Sequence, residues 1–189
     1  GVQTCALPIF APVRRSAASE TVRMSGIVEP NAYGQVAVAP LVAGRVTGVS
    51  VMLGDHVARN TPVAEIYSSD LANAQTQYLS MRAELEAVEK EVARTTRLVE
   101  AGAISQQDLE RIHAEHVSHR TAADSARTRL QLLGMTPAQV DRLTASGQVA
   151  AVTTVVAPIA GVVTERTINA GTPVDAATPL MTIVDLSTV

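Results

Sequence analysis

The chain has 189 residues, of which 47% are hydrophobic, and a formal net charge of −3 at pH 7. A slightly acidic chain without a run of basic residues lacks the electrostatic footprint of nucleic-acid-binding proteins, so we set that class aside. It contains three tyrosines, one phenylalanine and no tryptophan. Aliphatic cores of this kind suit small β units and thin helical seams better than a deep pocket for a flat cofactor.

The amino-terminal segment differs from the rest of the chain. Residues 1–20 begin GVQTCALPIF, without an initiating methionine or the basic region of a secretory signal, and we expect a linker or a segment foreign to the natural protein. The single cysteine, Cys5, lies there and says little about the redox compartment. In residues 21–34 the apolar residues Val22, Met24 and Val28 predict a β strand.

A sequence motif occurs twice. The first copy, from Ala39, reads APLVAGRVTGVSVMLGDHVARNTPVAEIY, and the second, from Ala157, reads APIAGVVTERTINAGTPVDAATPLMTIV. Each copy has short β-branched runs broken by glycine and proline, which predicts two β halves, residues 35–68 and 151–185. A short β unit cannot bury its apolar face alone, so the halves should pack together. Aligned on Gly44 and Gly161, the copies match at Val46/Val163, Thr47/Thr164, Gly54/Gly171, Val57/Val174, Thr61/Thr178, Pro62/Pro179 and Ile66/Ile183.

Residues 69–134, between the halves, carry two series of seam residues with the 3-4 spacing of a coiled coil. If the chain reverses between residues 101 and 105, the two series pair in antiparallel register and predict a helical hairpin. A short helix and connector over 135–150 should lead back to the second β half. The seam residues are Leu71, Ala74, Tyr78, Met81, Leu85, Val88, Val92, Thr95 and Val99, then Leu109, Ile112, His116, His119, Ala123, Ala126, Leu130 and Leu133.

Candidate metal ligands are His113, His116 and Met24. Imidazoles one helical turn apart can chelate a metal, and thioethers suit soft ions. However, His113, His116 and His119 drift by about 60° around a helix, so they do not converge on one ion. His116 and His119 are also required in the seam, and we favour polar seam positions that fix register over a metal site.

The sequence contains no recognisable catalytic constellation, such as a nucleophile with its base, a phosphate-binding glycine loop or a zinc-protease helix. The only lysine, Lys90, lies among Glu86, Glu89 and Glu91, where a solvated ion pair is the ordinary explanation. We therefore expect neither enzymatic activity nor a cofactor.

The two β halves resemble the biotinyl/lipoyl fold. With the helical insertion, residues 22–189 resemble the periplasmic adaptor subunits of tripartite efflux pumps, also called membrane fusion proteins or the HlyD family. SGIVEP from Ser25, and the stretch from Val155 to the end, are most similar to adaptors of resistance-nodulation-division pumps, especially the heavy-metal branch. The expected fold class is α+β, a split lipoyl-like β-sandwich (a barrel-sandwich hybrid) with an inserted antiparallel coiled-coil hairpin.

This resemblance implies roles for particular residues. Arg94, Leu98 and Ser105 match the spacing of the Arg, Leu and Ser pattern that meets the outer-membrane channel in the family. Residues 21–34 would lead from a membrane-proximal or β-barrel region, and residues 186–189 would begin a truncated β-barrel domain. Without that role, Ser105 is a helix cap and Arg94 a solvated charge.

The resemblance also implies a periplasmic protein, associated with the inner membrane of a Gram-negative envelope. Its partners would be an inner-membrane transporter, an outer-membrane channel and further copies in a ring, and the pump would export metal ions or drugs. An adaptor of an ABC-type exporter or of a type I secretion system is the alternative. A biotinyl/lipoyl carrier domain and a structural coiled-coil protein are further alternatives.

Overall fold

The computed structural model describes residues 21–25 and 31–187, and within them two four-stranded sheets enclose one core. One sheet has the strand order β1-β8-β6-β3 and the other has the order β5-β4-β2-β7, and every pairing within them is antiparallel. The strands are β1 (Gln35–Val38), β2 (Gly44–Val49), β3 (His56–Val57), β4 (Pro62–Tyr67), β5 (Val152–Val156), β6 (Gly161–Arg166), β7 (Pro173–Val174) and β8 (Met181–Val184).

The two halves of the repeat interleave. Each sheet takes two strands from the first half and two from the second, and replacing every strand by its counterpart in the other half converts one sheet order into the other. The repeat seen in the sequence is therefore a repeat of topology. The matched apolar pairs lie in the shared core, where Val46, Val163, Ile66 and Ile183 are almost fully buried.

Three helices lie between the halves: α1 (Ser69–Glu100), α2 (Gln106–Leu132) and α3 (Pro137–Ser146). The side chain of Ser68 caps α1, accepting a hydrogen bond from the backbone N–H of Leu71 at 3.3 Å. A capping box between Thr136 and Gln139 begins α3, and Gly147, in a left-handed conformation, ends it. Such caps satisfy backbone groups that the helix itself leaves without partners.

Helices α1 and α2 form the predicted antiparallel hairpin. Every predicted seam residue is buried or half-buried, whereas most other positions of the two helices are exposed. Polar contacts between the helices, including Arg129 to Gln77 at 3.2 Å, show the same antiparallel register. The predicted α+β class, with a hairpin inserted into a split sandwich, is confirmed.

The strand predicted for residues 21–34 is not observed in the described part of that range. Residues 21–25 have no regular structure, Ala32–Gly34 form a 3-10 turn, and 26–30 lie outside the described residues, as do 1–20 and 188–189. Asn31 accepts a hydrogen bond from the backbone N–H of Tyr33 at 3.0 Å, which favours a turn. The ladder between β1 and β8 begins only at the pair Gln35 and Val184.

None of the helices in the described ranges combines the length and the apolar character needed to cross a membrane.

Candidate functional site

The turn at the tip of the hairpin is closed by a cap on each side. Gly102 takes a positive φ of 69°, and its N–H donates to the carbonyl of Val99 at 2.9 Å, while the N–H of Ala103 donates to that of Leu98 at 2.9 Å. This is the Schellman arrangement that ends α1, and glycine suits its left-handed position. On the other side, Ser105 caps α2, and together these contacts define the turn of residues 101–105.

Arg94 and Leu98 lie one helical turn apart on the outward side of α1, just before this turn. The Arg94 side chain is 65% exposed and forms an ion pair with Glu91, one turn earlier. Leu98 is 40% exposed, whereas its neighbour Thr95 is turned into the seam and is 4% exposed. The tip therefore presents a guanidinium and an apolar side chain together, outside the seam.

Ser105 has a structural task in the isolated chain. Its hydroxyl oxygen accepts a hydrogen bond from the N–H of Asp108 at 3.3 Å, and the hydroxyl donates to the Asp108 carboxylate at 2.6 Å. Asp108 in turn lies 3.8 Å from the guanidinium of Arg111. The negative charge of Asp108 in the first turn also suits the dipole of α2. In this arrangement Ser105 positions the start of α2.

The histidines predicted for the seam face carboxylates of α1. His116 Nε2 lies 3.9 Å from a carboxylate oxygen of Glu89, and His119 Nδ1 lies 3.5 Å from one of Glu84, with His116 and His119 side chains 23% and 30% exposed. His113 is exposed on the outer side of α2. His116 and His119 are thus half-buried polar residues of the seam, and their role in fixing register stays a prediction.

The remaining metal candidates are His113 and Met24. Over residues 21–25 and 31–187, no three histidine, cysteine, aspartate or glutamate side chains are grouped so that they could hold an ion. Met24 is 87% exposed. Lys90, the only lysine of the sequence, is paired with Glu86 at 2.6 Å on the surface of α1. The hydrogen bond and charge of Lys90 lower the pKa of the Glu86 carboxyl.

One polar residue that sequence reasoning missed is Gln75, near the base of the hairpin. It is 2% exposed, and its amide group makes two hydrogen bonds with the backbone of Ala150, at 2.8 and 2.9 Å. The only sequence signal is a glutamine directly beside the seam residue Ala74. The partner lies 75 positions later in the chain, so no local pattern could have identified it.

Comparison with known proteins identifies the family. Residues 34–185 match the family described as CzcB-like, barrel-sandwich hybrid domain. This chain belongs to that family. A search of curated protein sequences gave no match.

Solved structures have a similar fold. ZneB from Cupriavidus metallidurans is similar with a TM-score of 0.67 and 27% identity over 84% of this chain and 64% of that chain. A putative efflux transporter from Bacteroides eggerthii has a TM-score of 0.51 and 18% identity over 88% of this chain and 48% of that chain. A MacA-MexA chimera carrying the Pseudomonas aeruginosa MexA α-hairpin domain has a TM-score of 0.51 and 23% identity over 80% of this chain and 48% of that chain.

The last two similarities, below 25% identity, concern the fold alone. The chain thus spans 64% of ZneB and about half the length of the other two structures. With the CzcB-like match, the predicted resemblance to periplasmic adaptor subunits, or membrane fusion proteins, is confirmed.

Proposed function

We propose that this chain is part of a periplasmic adaptor that links an inner-membrane efflux transporter to an outer-membrane channel. The observation that carries the proposal is a CzcB-like sandwich from which a capped antiparallel hairpin projects. At 1.5 Å per residue, a 32-residue helix is about 48 Å long, so α1 carries its tip well away from the sandwich. A slender rod of this kind supplies a geometric link between two partners.

The proposed contact with the channel is made by Arg94 and Leu98. An exposed ion pair such as that of Arg94 with Glu91 is worth about 0–1 kcal/mol, so the guanidinium can exchange it for a carboxylate or carbonyl of a partner at little cost. Leu98 is 40% exposed, and covering this side chain with a partner would be favourable because it removes apolar surface from water. Ser105 contributes by fixing the turn through its cap on α2.

The cargo that we propose is a metal ion or a drug. The heavy-metal branch, to which the end of the sequence pointed, is supported by the similarity to ZneB at 27% identity. We further propose a periplasmic location at the inner membrane and assembly of several copies into a ring around the conduit. Membership of an ABC-type exporter or type I secretion system is the second candidate, and the transporter that pulls down with the protein would distinguish the two.

The test uses the full-length natural protein with its transporter and channel in the cell. A variant with Arg94→Glu and Leu98→Ala should lose most resistance to the exported metal or drug at unchanged protein level, because both outward contacts at the tip are removed. Arg120→Glu, an equal charge reversal on the exposed side of α2 away from the tip, is the matched control and should retain resistance. Equal resistance in the tip variant and the control would refute the channel contact.

A further inference from the structure

The connector between α3 and β5 continues the β4–β5 ladder beyond the end of the sheet. The last paired residues of the two strands are Tyr67 and Val152. One step further, the backbone N–H of Ser68 donates to the carbonyl of Ala151 at 2.8 Å, although Ser68 is already the cap of α1. The connector thus follows the chain from the sheet into the first helix.

Beyond Ser68, the side chain of Gln75 is the hydrogen-bond partner of the connector. Its amide nitrogen donates to the carbonyl of Ala150 at 2.8 Å, and its amide oxygen accepts from the N–H of Ala150 at 2.9 Å. A side-chain amide in this arrangement reproduces the donor and acceptor pair of a neighbouring strand. Gln75 and Ser68 are 2% and 0% exposed, whereas Ala150 is exposed, so the two bonds of Gln75 are part-buried. Losing the partner of the buried glutamine amide is costly.

Helix α3 attaches the same segment to the hairpin from the other side. Val140 and Leu143, 0% and 4% exposed, pack with Ala74, Tyr78 and Leu130 in a cluster at the hairpin base. Polar contacts flank this cluster: the hydroxyls of Tyr78 and Thr144 are 3.0 Å apart, and Arg127 donates to Asp141 at 3.0 Å. The segment of residues 136–151 is therefore bonded both to α1 and to α2.

The sandwich and the hairpin base have separate apolar clusters. The core of the sandwich and the cluster at the hairpin base share no residue. Apolar contacts are also non-directional, whereas hydrogen bonds require a particular distance and angle. The contacts of Ser68 and Gln75 with the connector are the directional link between the base of α1 and the edge strand β5.

We propose that residues 136–151 form a strap that holds the hairpin at a fixed angle to the sandwich, with Gln75 as the positioning residue that pins it. The strap makes the hairpin a rigid lever, so that a displacement of the sandwich is carried to the tip. This inference goes beyond the proposed adaptor function and does not depend on which partner meets the tip.

The test follows the angle between the hairpin and the sandwich through the distance between two spin labels. In a Cys5→Ser background, spin labels at the exposed positions Ala58 on the sandwich and Ala93 near the tip give a distance distribution by pulsed electron resonance. The native strap should give one narrow distribution. Gln75→Met, which keeps the length of the side chain but cannot hydrogen-bond to Ala150, should broaden it at least about twofold. Gln131→Met, an exposed position on α2, is the matched control and should leave it unchanged.

A second variant covers the case in which Gln75→Met does not fold, as judged by circular dichroism. Tyr78→Phe removes only the hydroxyl that meets Thr144 and should broaden the distribution in the same direction. A merely structural role for these bonds would lower the melting temperature of the folded variants without changing the width. Folded variants whose distributions match those of the native chain and of Gln131→Met would overturn the proposal.

Discussion

The backbone N–H of Gly54 donates to the carbonyl oxygen of Val163 at 2.8 Å, which joins a turn of the first β half to a strand of the second. The repeat-related bond, from Gly171 to Val46, is also 2.8 Å long. Both glycines take positive φ values, of 89° and 92°, which side chains disfavour. Each half therefore supplies the turn that the other half needs, and neither sheet exists without both.

Two other repeat-related glycines, Gly44 and Gly161, permit close approach of backbone. A Cβ atom at Gly44 would lie 2.1 Å from the carbonyl oxygen of Tyr67, and one at Gly161 would lie 2.4 Å from that of Val184. Because rigid ladder backbone must move to admit a methyl group, we expect Gly44→Ala and Gly161→Ala each to lower the free energy of unfolding by about 1–3 kcal/mol. Urea denaturation measures the change.

The matched control for these variants is Gly48→Ala in the same strand β2. The nearest atom to a Cβ at Gly48 is a carboxylate oxygen of Glu65, 3.8 Å away, at the end of a flexible side chain. This variant should change the stability by less than about 1 kcal/mol. Equal losses at Gly48 and Gly44 would show that the close approach of the backbone does not determine the cost.

The sequence predicted the hairpin better than it predicted the arrangement of the sheets. The seam follows from the 3-4 spacing of residues such as Leu85 and Ala123, which is a local pattern on each helix. The exchange of strands between the halves does not follow from a local pattern. Val46 and Ile66 would be apolar whether each half formed its own sheet or shared its strands with the other half. The exposure of Arg94 and Leu98 also follows from the seam, since neither occupies a seam position. The contact between Gln75 and Ala150 depends on the tertiary structure and left no local pattern.

Replacing the seam histidines should stabilise the hairpin. A polar residue at a seam position helps to specify register at a cost in stability. We therefore expect His116→Leu and His119→Leu to raise the melting temperature, by an amount corresponding to about 1 kcal/mol each, because leucine buries apolar surface against α1. Differential scanning calorimetry at pH 8 measures the change.

His113→Leu is the control for these substitutions, because His113 is exposed on the same helix. It should leave the melting temperature nearly unchanged. If His116→Leu destabilises the protein while His113→Leu does not, the prediction is wrong. The contact of His116 with Glu89 would then stabilise the hairpin more than a buried leucine does.

The two roles of Ser105 can be separated by choice of substitution. Asparagine is as good a helix cap as serine, whereas alanine is poor, so Ser105→Ala should cost about 1 kcal/mol and Ser105→Asn little. Thermal unfolding of both variants checks the cap. In the resistance assay, a cap-only role predicts that Ser105→Asn works like the native protein. Loss of resistance in a stable Ser105→Asn variant would instead assign the hydroxyl to the channel contact.

Asp175, in the turn after β7, should have a carboxyl pKa below its ordinary value. Hydrogen bonds from the Thr178 hydroxyl, at 2.6 Å, and from the Ala177 N–H, at 3.0 Å, hold the pKa of its carboxyl below the ordinary value of 3.8. Because the ionised form is favoured in the folded state, its contribution to stability is present above that value and is lost as the pH falls through the lowered pKa. NMR titration of the carboxyl carbon should show Thr178→Ala raising the pKa. An unchanged midpoint would contradict this cause.

The sandwich should fold without its hairpin. Its core contains residues of the two β halves and none of α1, α2 or α3, and the backbones of Ser68 and Ala151 already meet across the ladder. We expect a chain in which Asn-Gly replaces residues 69–150 to close as a two-residue β turn. Circular dichroism should show loss of the helical signal, with one cooperative unfolding transition retained. A short chain without a cooperative transition would mean that the β halves need the strap to assemble.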